Sequence, residues 1–329
     1  MPWVCFTLGM KLRFFFCIAL IGLLALPAAA QVKVTQRTDR IVIDVDGKPF
    51  SEFFIGAGVM KPYLHPLRSA SGKIVTRHYP MESIEGESKD HPHHRGLWFT
   101  HGDVNGYDFW GNEPSQKGAT KNGKGKVVTK KVLDVKSGKK AGSVKALFEW
   151  QTMEGKALLT ETREMIFYSD PKLRTIDVDI RLAAVEKVTF GDTKEGVFAI
   201  RLASPLEEKR TGTGGKMVNA EGKVGEKLVW GKQSPWVDYS GQLEGETLGI
   251  AILDHPTSPR HPTYWHARAY GLFASNIWGL HDFIDKTKDG SQTIEPGQSL
   301  RFRIRVVIHP GDAAAADIAD LYKKFAAMK

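Results

Sequence analysis

Short runs in which apolar and polar residues alternate recur along most of this chain. Residues 41–47, Ile-Val-Ile-Asp-Val-Asp-Gly, give a strand entering an Asp-Gly turn. The same two-residue period, bounded by Gly, Pro, Asn or Asp, predicts strands at 53–55, 126–135, 143–149, 158–168, 173–182, 187–190, 197–202, 248–253 and 300–308. Successive side chains of a strand point to opposite faces, so alternation marks sheets with one face buried. One segment breaks the pattern: residues 313–327 carry Ile318, Leu321, Tyr322 and Phe325 on one face of a helical period. Many short strands closed by one terminal helix predict an all-β fold, an antiparallel β-sandwich with a short C-terminal helix. No internal repeat and no interdomain linker is visible, so residues 31–329 are expected to form a single domain.

The first thirty residues follow a different rule. Lys11 and Arg13 precede an unbroken apolar run at 14–26, and Pro27-Ala28-Ala29-Ala30 supplies a small-residue cleavage site. This is the pattern of a secretory signal peptide over residues 1–30, with Gln31 as the mature N-terminus. The apolar run is short for a membrane span. The expectation is a secreted or periplasmic protein with no stable membrane association after signal cleavage. Both cysteines, Cys5 and Cys17, fall in the removed segment. Disulfides, thiolate metal sites and cysteine nucleophiles are thereby excluded from the mature chain. The formal charge is +9, and many lysines lie between 117 and 145 among glycine and threonine. No aromatic residues interleave with those lysines as single-stranded nucleic acid would require. The segment therefore reads as a solvated hairpin or loop, no nucleic-acid partner is expected, and acidic glycans or an anionic cell wall suit the positive field better.

The densest chemistry lies in Asp90-His91-Pro92-His93-His94-Arg95-Gly96-Leu97-Trp98-Phe99-Thr100-His101-Gly102-Asp103, which holds His91, His93, His94 and His101 of the 11 histidines in the chain. Imidazole titrates near neutral pH and is the commonest metal ligand. A second cluster follows far downstream, Asp254-His255-Pro256 and Arg260-His261-Pro262-Thr263-Tyr264-Trp265-His266. Their shared composition predicts one site built from both. On a strand His91 and His93 would share a face and His94 point away, but Pro92 disfavours a regular central strand, so the segment reads as a loop running into a strand at 96–100. Two uses of the histidines remain open: proton transfer, or ligation of a divalent metal by His91, His93 and His101. Glu195, between turn-forming glycines at the mouth of the strand 197–202, is the candidate general base, and His93 and His266 are the candidate acids. Arg95, Asp103, Tyr107, Trp110, Tyr264 and His261 mix aromatic faces with polar groups, as a sugar-binding surface does. Trp236, Asp238, Tyr239 and Ser240 read as a further loop of that type.

Four segments carry a resemblance. Lys61-Pro62-Tyr63-Leu64-His65-Pro66-Leu67, the stretch from Asp90 to Trp98, Gly191-Asp192-Thr193-Lys194-Glu195-Gly196, and His261-Pro262-Thr263-Tyr264-Trp265-His266-Ala267 together resemble the bacterial secreted family labelled "methane oxygenase PmoA". The resemblance extends over nearly all of the chain after residue 30. The family label implies a His/carboxylate metal-dependent enzyme of oxygenase type. The strand pattern and the Pro62-to-Leu67 segment also resemble the galactose mutarotase-like supersandwich. That likeness implies a carbohydrate partner and histidine-carboxylate chemistry of epimerase, lyase or glycosidase type, although a fold does not fix a reaction. A non-catalytic glycan-binding protein is the third reading.

Overall fold

The computed structural model describes residues 1–5, 31–209 and 214–329. Most of the expected signal segment lies outside the described residues. The strands in chain order are β1 Val32–Gln36, β2 Arg40–Val45, β3 Lys48–Phe54, β4 Tyr63–Leu64, β5 Leu97–His101 and β6 Gly125–Lys136. They continue with β7 Ala141–Thr152, β8 Ala157–Tyr168, β9 Arg174–Ala184, β10 Val188–Phe190, β11 Gly196–Arg201 and β12 Lys216–Asn219. The last are β13 Trp236–Leu243, β14 Glu246–Asp254, β15 Tyr264–Ala267, β16 Leu272–Asn276, β17 Gln292–Ile294 and β18 Ser299–Pro310. Three short helices join them, α1 Glu226–Val229, α2 Leu280–Phe283 and α3 Ile318–Ala326.

Two eight-stranded antiparallel sheets stack face to face. One runs β1-β2-β3-β4-β5-β11-β16-β15 and the other β12-β13-β14-β18-β9-β8-β7-β6. The expected all-β antiparallel sandwich is what the chain forms. The alternation read in the sequence does the work: β7 buries Val144, Ala146, Phe148 and Trp150 and leaves the residues between them part-exposed. Aromatic side chains bridge the sheets, Phe53 to Phe148 at 6.1 Å and Phe99 to Trp150 at 5.9 Å between ring centroids, both edge-on. Glu161 and Arg163 of β8 point into the same core. Glu161 accepts from Trp150 Nε1 at 2.8 Å and pairs with Arg163 at 2.6 Å, so the two buried charges satisfy each other.

Two expectations need correction. The helix begins at Ile318, not at residue 313, because Asp317 adopts a left-handed conformation (φ 51°) and residues 313–317 form turns. Ile318 and Phe325 still pack on Trp236, Leu253 and Val307 as the periodicity requires. Trp236, Asp238, Tyr239 and Ser240 are not a loop; they form β13, paired with β12 and β14. Asp238 is tolerated in this covered strand because His309 of β18 lies 2.6 Å from its carboxylate, with both side chains fully buried.

Register in the first sheet decides where the chemistry gathers. Directly opposite residues in antiparallel strands share a face. Phe54 opposes Tyr63, Tyr63 opposes Trp98, Trp98 opposes Ala199, Ala199 opposes Ala274, and Ala274 opposes His266. The neighbouring row, Phe53, Leu64, Leu97, Ile200, Phe273 and Ala267, points into the core. The first row therefore lies on the outer face. Its two alanines leave a trough that Trp98 and Trp110 pack into, and both are fully buried beneath the long loops 65–96 and 102–124.

Candidate functional site

A depression of about 690 Å³ opens on this outer face, walled by Trp110 and Tyr270. His91, His93 and His94 line it from the loop before β5, Trp110 and Gln116 from the loop after it, Glu195 from the start of β11, and His266 from β15. The two histidine-rich segments thus meet at one place, and the three candidate catalytic residues, Glu195, His93 and His266, share it.

The loop before β5 turns sharply. His94 N–H donates to the His91 carbonyl at 3.0 Å, so residues 91–94 form a turn, not a strand. The expected loop is thus a tight turn, and because positions i and i+3 of a turn come together, His94 meets His91 and does not face away as it would on a strand. His91 and His94 stack at 4.7 Å with an interplanar angle of 6°. Tyr270 stacks on the outer side of His91 at 5.4 Å and Trp98 on the inner side of His94 at 5.3 Å. His93 stands edge-on to both histidines, 5.6 and 4.4 Å away. Gly96 lets the chain leave the turn: its φ is +57°, and a Cβ there would strike the backbone carbonyl of Leu64.

Beneath the stack lies a buried ionic cluster. Arg77 and Arg201 have fully buried side chains and converge on Asp90, at 2.5 and 3.1 Å. Arg201 also faces Glu207 at 3.6 Å. Burial alone would raise the Asp90 carboxyl, but Arg201, His91 and Arg77 together hold it below the usual carboxylate range. Asp90 thereby ties the floor of the site to the turn that carries the histidines.

Glu195 is about one-third exposed, and its carboxylate pairs with Lys194 at 3.4 Å. Burial raises its pKa and Lys194 opposes the rise. Gly102 N–H donates to the Glu195 carbonyl at 2.7 Å, anchoring the residue against the end of β5. The imidazoles behave differently from expectation. Burial, helped by Lys61 and His91, pushes His93 down to about 2. Burial, helped by Arg268 and Lys194, pushes His266 down to about 3. Burial, helped by His93 and Arg201, puts His94 well below its usual value. All three stay neutral at physiological pH, so none arrives as an imidazolium acid. Several polar atoms here are buried without a hydrogen-bond partner: His94 Nε2, Trp110 Nε1 and Gln116 Oε1. Buried polar groups are normally paired, and their concentration at one depression marks a ligand site.

The structure takes other expected residues elsewhere. Arg95 forms a two-pronged pair with Glu113 at 2.8 and 2.7 Å and lines a neighbouring depression. Asp103 caps its own loop by accepting from Gly106 N–H at 2.8 Å. Tyr107 packs at the edge of the main core. Tyr264 stacks on Phe283 at 5.8 Å. His261 is held by Asp254 at 2.8 Å and lies 3.3 Å from the Tyr322 hydroxyl. His101 is fully buried beside Trp278, with Nε2 2.7 Å from the Gly191 carbonyl. Of the expected binding residues only Trp110 reaches the depression. With His101 removed, the three-histidine metal set fails, and among the described residues no three His, Cys, Asp or Glu side chains converge on one point. The donor set does not fit a resident metal. Missed in the sequence were His94, Gln116, Arg268 and Tyr270.

The sequence model of a family of unknown function, DUF6807, matches residues 40–323 and so includes every residue of this depression. The chain belongs to the DUF6807 family. No curated protein matches this DUF6807 member. Solved structures similar to it include a galactose mutarotase-like protein from Clostridium acetobutylicum, with 12% identity, 85% of this chain, 98% of that chain and a TM-score of 0.40. A heparan sulfate lyase HepC mutant from Pedobacter heparinus matches with 8% identity over 85% of this chain and 37% of that one, TM-score 0.39. The GH36 alpha-galactosidase AgaA from Geobacillus stearothermophilus matches with 10% identity over 86% of this chain, TM-score 0.38. This chain spans only 40% of that galactosidase.

Proposed function

We propose that this DUF6807 protein is an exported carbohydrate-active enzyme that moves a proton at a sugar carbon or anomeric oxygen, in an epimerase-, lyase- or glycosidase-type reaction. The observation that carries the reading is the meeting of Glu195, His93 and His266 at one depression walled by aromatic rings. Glu195 is the base. Partial burial raises its affinity for a proton toward the range useful for catalysis. His93 and His266 act as neutral hydrogen-bonding groups on substrate oxygen, since an imidazole kept neutral by its surroundings can still polarise a carbonyl or hydroxyl. Trp110 contributes an aromatic edge and an indole N–H. The family match is to DUF6807 and carries no PmoA label; the oxygenase-type metal chemistry of that label has no three-ligand set to use among the described residues. The test is turnover on a panel of glycans. Glu195→Gln should lower it by ~10²–10⁴, the usual worth of positioned proton transfer, with folding intact. Binding without turnover would leave a glycan-binding protein. Activity abolished by a chelator and restored by one metal would overturn the proton-transfer reading.

A further inference from the structure

We propose that His94 and Trp110 form a receptor for a carboxylate, so that the sugar bound in this depression is a uronic acid. The inference rests on the carbohydrate reading above and narrows it to an anionic substrate class.

Arg201 Nη1 lies 3.1 Å from His94 Nδ1. A guanidinium has only donors, so Nδ1 must accept and the ring proton must sit on Nε2. That Nε2–H is buried and has no partner. Trp110 Nε1–H, also buried and unpartnered, belongs to the ring packed edge-on against His94 at 5.9 Å and 76°. Both side chains are only 1% exposed, and both line the depression. The site therefore presents two neighbouring neutral donors, neither of which can accept. A sugar hydroxyl brings its own proton and would need an acceptor as well, which neither side chain of this pair offers; the unpartnered acceptor of the depression, Gln116 Oε1, belongs to the side chain that holds His93. A carboxylate brings lone pairs only, and it matches a donor-only pair.

Charge does not oppose an anion. Of the cations at the depression, Lys194 pairs with Glu195 at 3.4 Å and Arg268 with Glu226 at 3.0 Å, and Lys117 has no ion pair among the described residues. Asp108 is fully engaged by backbone, accepting from Trp110, Gly111 and Ala119 N–H groups at 2.8, 2.7 and 3.0 Å. Glu195 is paired with Lys194. His94 cannot switch to the accepting tautomer without losing Arg201, and Arg201 is held in place by Asp90 and Glu207. Arg201 is thus a positioning residue that sets which atom His94 shows to the ligand.

Two-bond ¹H–¹⁵N correlation spectra of the full protein at pH 7 test the first step without any ligand. His94, assigned by its loss in His94→Gln or by triple-resonance experiments if that variant misfolds, should show the Nε2–H tautomer. The Nδ1–H tautomer or an imidazolium would overturn the proposal. The same sample is then titrated with trisaccharides of galacturonate, glucuronate and mannuronate, and with neutral galacto-, cello- and malto-trisaccharides. A uronate should shift the His94 and Trp110 ring N–H signals and bind at least tenfold more tightly than the neutral sugars. Neutral sugars binding as tightly would remove the carboxylate receptor and leave the carbohydrate reading standing. Binding of neither class would defeat both.

Discussion

Acidifying from pH 7.5 to 5.5 should weaken the fold severely, through histidines that the structure keeps uncharged. His65, His93, His94, His101 and His266 are all buried. Burial lowers His65 to about 3, His93 to about 2, His101 to about 4 and His266 to about 3, and holds His94 well below its usual value. In the unfolded chain each would titrate near 6.5. A folded pKa below the unfolded one contributes stability that is complete above about 6.5 and is lost as pH falls toward the folded value. Each such histidine loses about 1.4 kcal/mol per pH unit below its unfolded pKa. From pH 7.5 to 5.5 the five together withdraw roughly 6–7 kcal/mol, against a total domain stability of about 5–15 kcal/mol. Glu195, Asp103 and Asp238, whose pKa values burial raises, work in the opposite sense, with most of their gain at lower pH. Thermal unfolding followed by circular dichroism should show Tm falling by about 10 °C or more. His65→Gln, outside the candidate site, should remove about one-fifth of the pH dependence by the same linkage. A Tm that stays level or rises between pH 7.5 and 5.5 would refute the reasoning, because it would mean that these imidazoles accept protons in the folded state.

Other expected outcomes are more local. Gly96→Ala should destabilise the protein by about 2–4 kcal/mol in urea unfolding, since a left-handed alanine costs ~1–2 kcal/mol before the collision with the Leu64 carbonyl is counted. The double variant Glu195→Gln/His266→Gln should lose little more turnover than the worse single variant, because groups acting on one proton transfer are not additive; kcat losses that simply multiply would separate their roles. Edman sequencing of protein recovered outside the cytoplasm should begin at Gln31; retention of residues 14–26 would mean a membrane anchor instead.

Strands with one covered face were legible because burial alternates, as in β7, β8 and β9. β16 and β13 were not read as strands. Nearly every residue in them is buried, because loops and α3 cover the outer faces, and no alternation survives. The candidate site was legible as composition: histidines at 91–94 and 266, with a carboxylate at 195. Its geometry was not. Pro92 marked residues 91–94 as a loop, but nothing in the sequence showed that its turn stacks His94 on His91. Arg201 was legible only as part of the strand at 197–202. It sits one sheet position beyond the trough and meets Asp90, a pairing set by the register of β5 with β11 and by the loop between β4 and β5. Arg95, Tyr264 and His261 have the right chemistry for sugar, but local partners claim them.

The most direct test of the central claim is a crystal structure of Glu195→Gln soaked with a mixture of uronic and neutral oligosaccharides. The account predicts a sugar ring in the depression beside Trp110 and Tyr270, in contact with residue 195 and with His93 or His266. Sugar found only in the neighbouring depression beside Arg68 and Arg95 would contradict the account.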